Sequence, residues 1–163
     1  MVFRIAVFAL IFTGLQLGWQ SVRDTAAGRV LVEDVVVNSA TTLINTLTPA
    51  THARAEGTMV RARGGSLNIV NGCEGTEALF LLAAAFAVAP LRWRARLMGF
   101  LLGALVVYAV NELRILALFY ANRHDQALFE VLHATVTPIA VIVLVAGYFH
   151  AWLVTHIRTA AAH

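Results

Sequence analysis

No aspartate, glutamate, lysine or arginine occurs anywhere between positions 131 and 157. A helix of about 20 apolar residues crosses the roughly 30 Å hydrocarbon core of a bilayer, so a span is expected here, from about Leu128 to Trp152. Residues 5–19, 76–89 and 97–119 are similarly apolar. With 60% of its 163 residues apolar and only 13% charged, the chain has more apolar surface than a soluble domain of this size can hide. The expected fold class is an all-α integral membrane protein with about four transmembrane helices, an extracytoplasmic amphipathic helix and a short β-hairpin.

The segments divide the chain into a first transmembrane helix (1–19), an extracytoplasmic segment (20–75), a three-helix transmembrane core (76–155) and a cytoplasmic tail (156–163). The first apolar run follows Arg4 and ends at Trp19, which suits an interfacial anchor. No small-residue cleavage site follows directly, so an uncleaved span is expected rather than a signal peptide. Within the polar segment, apolar residues at 32, 35, 36, 43 and 47 have roughly helical spacing, and Pro49 closes the run. An amphipathic helix over 30–48 lying on the membrane is expected, with Val35-Val36-Val37 leaving a strand open as the alternative. Residues 58–63 and 66–70 flank Gly64-Gly65 and suggest the hairpin. Gly14/Gly18 and Gly99/Gly103 are pairs four apart of the kind that packs helices closely.

The stretch over 76–89 is only about 21 Å long as a helix, and Arg92, Arg94 and Arg96 fix its far end at an interface. Counting back about 20 residues from Trp93 draws Glu74 and Glu77 to the opposite boundary. The chain has twelve cationic residues, all arginine, and their spacing shows no nucleic-acid patch. The densest short-loop cluster, at 92–96, argues that this loop and both termini face the cytoplasm. The sole cysteine, Cys73, then faces outward with Arg114 and His133.

The charged groups of the spans gather near that outer boundary: Glu74, Glu77, Glu112, Arg114, Glu130 and His133. Ionisable groups in spans usually face a bundle interior or a wet cavity, where they pair or perform chemistry. Arg114 precedes the expected end of its span by about five residues, and His133 follows the next start by about five, so both lie about 7 Å deep. Asn111 shares a helix face with Arg114. A cysteine attacks as thiolate, and a helix N-terminus with nearby cations lowers its pKa. Histidine exchanges the thiol proton with a leaving group, and a fixed arginine stabilises an oxyanion. The trio therefore suits acyl transfer through a thioester. Glu74, beside the cysteine, opposes thiolate formation unless Arg114 or another cation neutralises it.

The chain resembles the exosortase/archaeosortase family of membrane cysteine transpeptidases. Cys73-Glu74-Gly75, Asn111-Glu112-Leu113-Arg114-Ile115 and His133 carry the resemblance, in that order on successive spans. Its shortness and the Gly72-Cys73-Glu74-Gly75 context are similar to the exosortase H subgroup. The resemblance implies Cys73 as nucleophile, Arg114 as oxyanion or thiolate stabiliser and His133 as acid and base. The residues around them add Asn111, Glu74, Gly75 and Glu130 as supporting candidates. It implies no cofactor and no metal. It also implies a bacterial inner-membrane location with a periplasmic site. The implied partners are exported proteins whose C-terminal sorting signal comprises a short motif, a membrane span and a basic tail, together with membrane lipid and no nucleic acid. The chain departs from longer members in having fewer spans, and from the common pattern in carrying Glu74. Two other readings stand beside this one. A metal-dependent hydrolase would use Cys73, His133, Glu112 and Glu130, though no HExxH or paired-cysteine spacing occurs. A non-enzymatic assembly subunit would need the polar cluster only to pack its helices.

Overall fold

The computed structural model describes residues 2–69 and 73–161. Helix α1 (Val2–Val22) leads through a turn into α2 (Ala26–Leu47), whose middle, Val30–Val37, is π-helical. A 3₁₀ turn at Pro49–Thr51 leads to three short strands: β1 (Arg54–Glu56), β2 (Met59–Ala62) and β3 (Gly65–Asn68). They form one antiparallel sheet in the order β1-β2-β3. The hairpin read around Gly64-Gly65 is the β2–β3 pair, and β1 is an addition to it. Helix α3 (Thr76–Val88) and the long helix α4 (Trp93–His124) follow. Helix α5 runs as one rod through Gln126–Val131, a π-helical turn at Leu132–Val136 and Thr137–Ala161.

Among the described residues four helices are long and apolar enough to cross a membrane, and they are α1, α2, α4 and α5. The number agrees with the sequence, but the membership differs. Helix α3, expected as a span over 76–89, has only 13 residues, about 20 Å, and packs among α1, α4 and α5. Helix α2 exceeds its expected bounds and is 22 residues long. Its buried face also differs from the apolar set at 32, 35, 36, 43 and 47. Val32, Val36, Val37, Ala40 and Ile44 are buried, whereas Val35, Leu43 and Leu47 are exposed. The wider π turn rotates the residues that follow it, so a 3.6-residue count from Val32 loses register.

The expected loop after position 119 is also shorter. Helix α4 continues to His124, and Asp125 alone separates it from α5. Asp125 caps α5 by accepting from the amides of Ala127 and Leu128 at 2.9 and 3.2 Å. The last turns of α4 therefore carry Ile115, Leu116, Leu118 and Phe119 into a core shared with α2 and the sheet. A second core lies lower in the bundle, where Leu82 and Phe86 of α3 meet Val107 of α4 and Val141 and Val145 of α5. The two glycine pairs part company. A side chain on Gly99 or Gly103 would collide with Phe86, Trp152, Leu82 or Tyr148, whereas Gly14 and Gly18 face open space.

Candidate active site

Cys73 precedes α3 by three residues and is 5% exposed. A contact from α4 and a turn of its own chain hold it. The Asn111 amide, on α4, donates from Nδ2 to the carbonyl of Cys73 at 3.1 Å. Gly75, the residue before α3, has φ +80°, a left-handed conformation that glycine adopts without strain. A Cβ at Gly75 would also lie 2.9 Å from Asn111 Cγ. The small residue thus lets α4 approach closely enough for Asn111 to grip the cysteine backbone. The contact ties the entry of α3 to the middle of α4, which fixes where the thiol stands relative to Arg114.

Arg114 lies one turn beyond Asn111 on the same face of α4. Its Nη2 lies 3.8 Å from Cys73 Sγ, and its Nε donates to Thr137 Oγ1 at 3.0 Å. The Thr137 hydroxyl in turn donates to the carbonyl of Leu132 at 2.9 Å. One hydroxyl therefore both accepts from the guanidinium and donates into the π turn of α5. His133 sits in that turn, with Nδ1 3.8 Å from Cys73 Sγ and its ring stacked on Phe129 at 5.4 Å between centroids. Pro138 explains the turn's position. It has no amide proton, and its ring crowds the carbonyl of residue 134, so the helix widens just before it.

The remaining sequence candidates divide. Glu74 is buried, and its carboxylate accepts from Trp19 Nε1 at 3.4 Å and lies 3.9 Å from Arg23 Nε. Its cationic partner is thus Arg23 at the end of α1, not Arg114. Glu112 is buried away from the thiol and accepts from Ser39 Oγ of α2 at 2.8 Å. Glu130 is exposed and lines neither cavity at Cys73, so the structure does not bring it to the site. Among the described residues no three His, Cys, Asp or Glu side chains gather as a metal would require. Asn71 and Gly72 lie outside the described residues. Thr137 and Arg23 were not read from sequence.

Two cavities meet at the thiol. One of about 400 Å³ is lined by Phe12, Leu81, Pro138, Val141 and Ile142 together with Cys73, Arg114 and His133. The other, about 220 Å³, lies between β3 and the helices and shares Cys73 and His133. Burial pushes the Cys73 thiol pKa up, Arg114 pulls it down, and Glu74 and Glu77 push it further up. The net direction is upward, contrary to the lowering expected at a helix start. Desolvation of the thiolate outweighs the nearby guanidinium. A buried protonated thiol needs a base within reach, and His133 Nδ1, 3.8 Å away, is placed to serve.

A family model for transmembrane exosortases matches residues 1–150. The chain belongs to the transmembrane exosortase family. Comparison with curated proteins gave no match, and comparison with solved structures gave none either. Family membership indicates a membrane transpeptidase-type role, and the match covers every residue named at the site.

Proposed function

We propose that this exosortase is a cysteine transpeptidase or peptidase that cleaves the C-terminal sorting signal of exported proteins through a Cys73 thioester. The observation that carries this reading is the placement of Arg114 Nη2 and His133 Nδ1 each 3.8 Å from Cys73 Sγ. With Nδ1 toward the sulfur, a neutral His133 carries its proton on Nε2 and accepts the thiol proton as Sγ attacks the peptide carbonyl carbon. The carbonyl electron pair moves to oxygen, and the Arg114 guanidinium stabilises that oxyanion. Collapse breaks the C–N bond, and His133 returns the proton to the leaving amine. The acceptor nucleophile then attacks the thioester and gives its proton to His133, which returns it to the departing thiolate. Thr137 fixes the guanidinium, and Asn111 with Gly75 fixes the cysteine backbone. Glu74 acts indirectly, its charge offset by Arg23. The arginines of the α3–α4 turn support a cytoplasmic position for that turn and a periplasmic site in a bacterial inner membrane.

Cys73→Ala should leave the protein inserted at normal abundance while exported substrates keep their C-terminal anchors. Normal processing by that variant would reject the thioester. For orientation, an impermeant maleimide applied to spheroplasts should spare Arg94→Cys in a Cys73→Ala background, whereas a permeant maleimide should label it. Labelling by the impermeant reagent would invert the topology.

A further inference from the structure

β3 is an edge strand, paired with β2 on one side. The direction of its backbone groups follows from its register. The amide of Ile69 donates to the carbonyl of Thr58 at 2.8 Å. Antiparallel partners alternate between bonded and non-bonded pairs, so Val60–Leu67 and Ala62–Gly65 are bonded pairs in the same phase. The backbone groups of Gly65, Leu67 and Ile69 therefore turn toward β2, and those of Ser66 and Asn68 turn away. An independent contact agrees: Asn122 Nδ2 of α4 donates to the outward carbonyl of Ser66 at 3.0 Å. Both strand residues line the 220 Å³ cavity that contains Cys73 and His133.

We propose that the outer edge of β3 is the docking strand for substrate, taking the extended peptide on the acyl side of the cleaved bond. The inference rests on the thioester reading above and adds where the peptide binds. The backbone amide and carbonyl of Asn68 bond the substrate backbone, and Asn122 borders the same channel from α4. The occupant follows from continuity with the thiol. A chain presenting a carbonyl to Sγ enters one cavity and leaves by the other, and the larger cavity is the one with the apolar wall of Leu81, Val141 and Ile142. The membrane-embedded continuation of the substrate suits that wall, which leaves β3 for the acyl side. An edge strand recognises extended peptides through main-chain bonds, with alternate side chains supplying selectivity.

Proline tests this directly, because at Asn68 it removes an outward amide and leaves the bonds to β2 in place. The substrate is a host exported protein that keeps its C-terminal anchor in membranes lacking this exosortase and loses it when the parent protein is present. Asn68→Pro should lower kcat/KM for its processing by about tenfold or more, the effect of a lost backbone bond with its partner left unpaired. Alkylation of Cys73 by iodoacetamide should be unchanged. Thr58→Val loses the same side-chain bond, from Thr58 Oγ1 to Asn68 Oδ1, keeps every strand amide and should process normally. Asn122→Trp fills the channel from the helix side, leaves the strand sequence intact and should also block processing. Normal processing by Asn68→Pro with normal alkylation overturns the proposal. If Asn68→Pro alters alkylation as well, Asn122→Trp decides: blocked processing supports docking, and normal processing overturns it. Failure of the thioester itself has a different signature, processing that persists in Cys73→Ala.

Discussion

The two ends of the helix bundle are held together by different means. At the lower end, α3, α4 and α5 meet through shape: Phe86 and Trp152 fill the space over Gly99, and Leu82 and Tyr148 fill it over Gly103. Its cross-helix hydrogen bonds run from side chains to backbone, Tyr148 Oη to the Gly99 carbonyl at 2.8 Å and Trp152 Nε1 to the Ala95 carbonyl at 3.1 Å. At the sheet end buried and half-buried polar side chains bridge elements instead. Asn111 bonds the Cys73 loop, Glu112 bonds α2, Arg114 bonds α5, and Glu74 reaches α1. Among the described residues, one oxygen each of Glu74, Asn111 and Glu112 is buried without a hydrogen-bond partner there. An unmet acceptor in a low-dielectric interior is costly, so this end gives up stability that the lower end keeps. Such sites are where folds depart from locally optimal packing for chemistry. Changes at the sheet end should therefore act on turnover, and changes at the lower end on stability.

The largest break in that pattern should come from His133→Ala, with turnover falling about 10²–10⁴-fold, the range for a positioned acid and base. Membrane abundance and melting in detergent should stay near the parent values. Turnover within a fewfold of the parent would remove His133 from proton transfer. Arg114→Lys should follow, with a loss of about 10²–10³-fold as for an oxyanion donor. Lysine keeps the charge but lacks the planar fork that bonds Thr137 through Nε and faces Sγ through Nη2. Arg123→Lys is the control, because Arg123 sits over the Phe119 ring on the outer turns of α4. Equal activity of the two variants would return Arg114 to a structural role.

Much of the sheet end was legible because helix rise and a membrane of fixed thickness put residues at a common depth. Counting along the spans placed Cys73, Arg114 and His133 together, and the i, i+3 rule tied Asn111 to Arg114. The same counting ended α4 five residues early, because the Asp125 cap that folds α5 back directly was not weighed. A capping aspartate before an apolar run was the available signal. Pro138 was likewise the available signal for the π turn that carries His133. The α2 face was misread because nothing in a run of valines marks a π turn. The pairs Glu74–Arg23 and Glu112–Ser39 join residues far apart in the chain, and local pattern says nothing about which helices approach.

The lower end yields a smaller effect of another kind. Gly103→Val would put its Cβ 2.6 Å from Leu82 Cδ2 and Tyr148 Cε1. Overpacking of this sort costs about 1–3 kcal/mol, to be read as a lower melting temperature in detergent. Gly14→Val, where nothing lies within 4 Å, should change stability by no more than about 0.5 kcal/mol. Neither should alter the alkylation rate of Cys73. Matching melting temperatures for the two variants would show that the α3–α4–α5 packing does not carry the lower end.

The smallest expected effect is the sharpest test of how the sheet end handles charge. The Cys73 thiol is raised first by burial, then lowered by Arg114, then raised by Glu74 and by Glu77. Replacing Glu74 by glutamine removes a negative charge beside the nascent thiolate, so the thiolate becomes easier to form and the pKa falls. Freeing Arg23 from its carboxylate partner acts in the same direction. The iodoacetamide rate at Cys73, plotted against pH, should therefore keep its shape while its midpoint moves down for Glu74→Gln. The midpoint should move up for Arg114→Gln, which removes the cation that lowers the thiol. Glu77→Gln should move it down by less, because Glu77 is exposed and its charge is screened by solvent. A parent midpoint below that of a free thiol would contradict the dominance of burial. An unmoved or raised midpoint in Glu74→Gln would mean that the Glu74 carboxylate does not act on the sulfur through its charge. Glu74 would then serve to tie α1 to the cysteine loop, and its effect would pass from the chemistry to the stability of that contact.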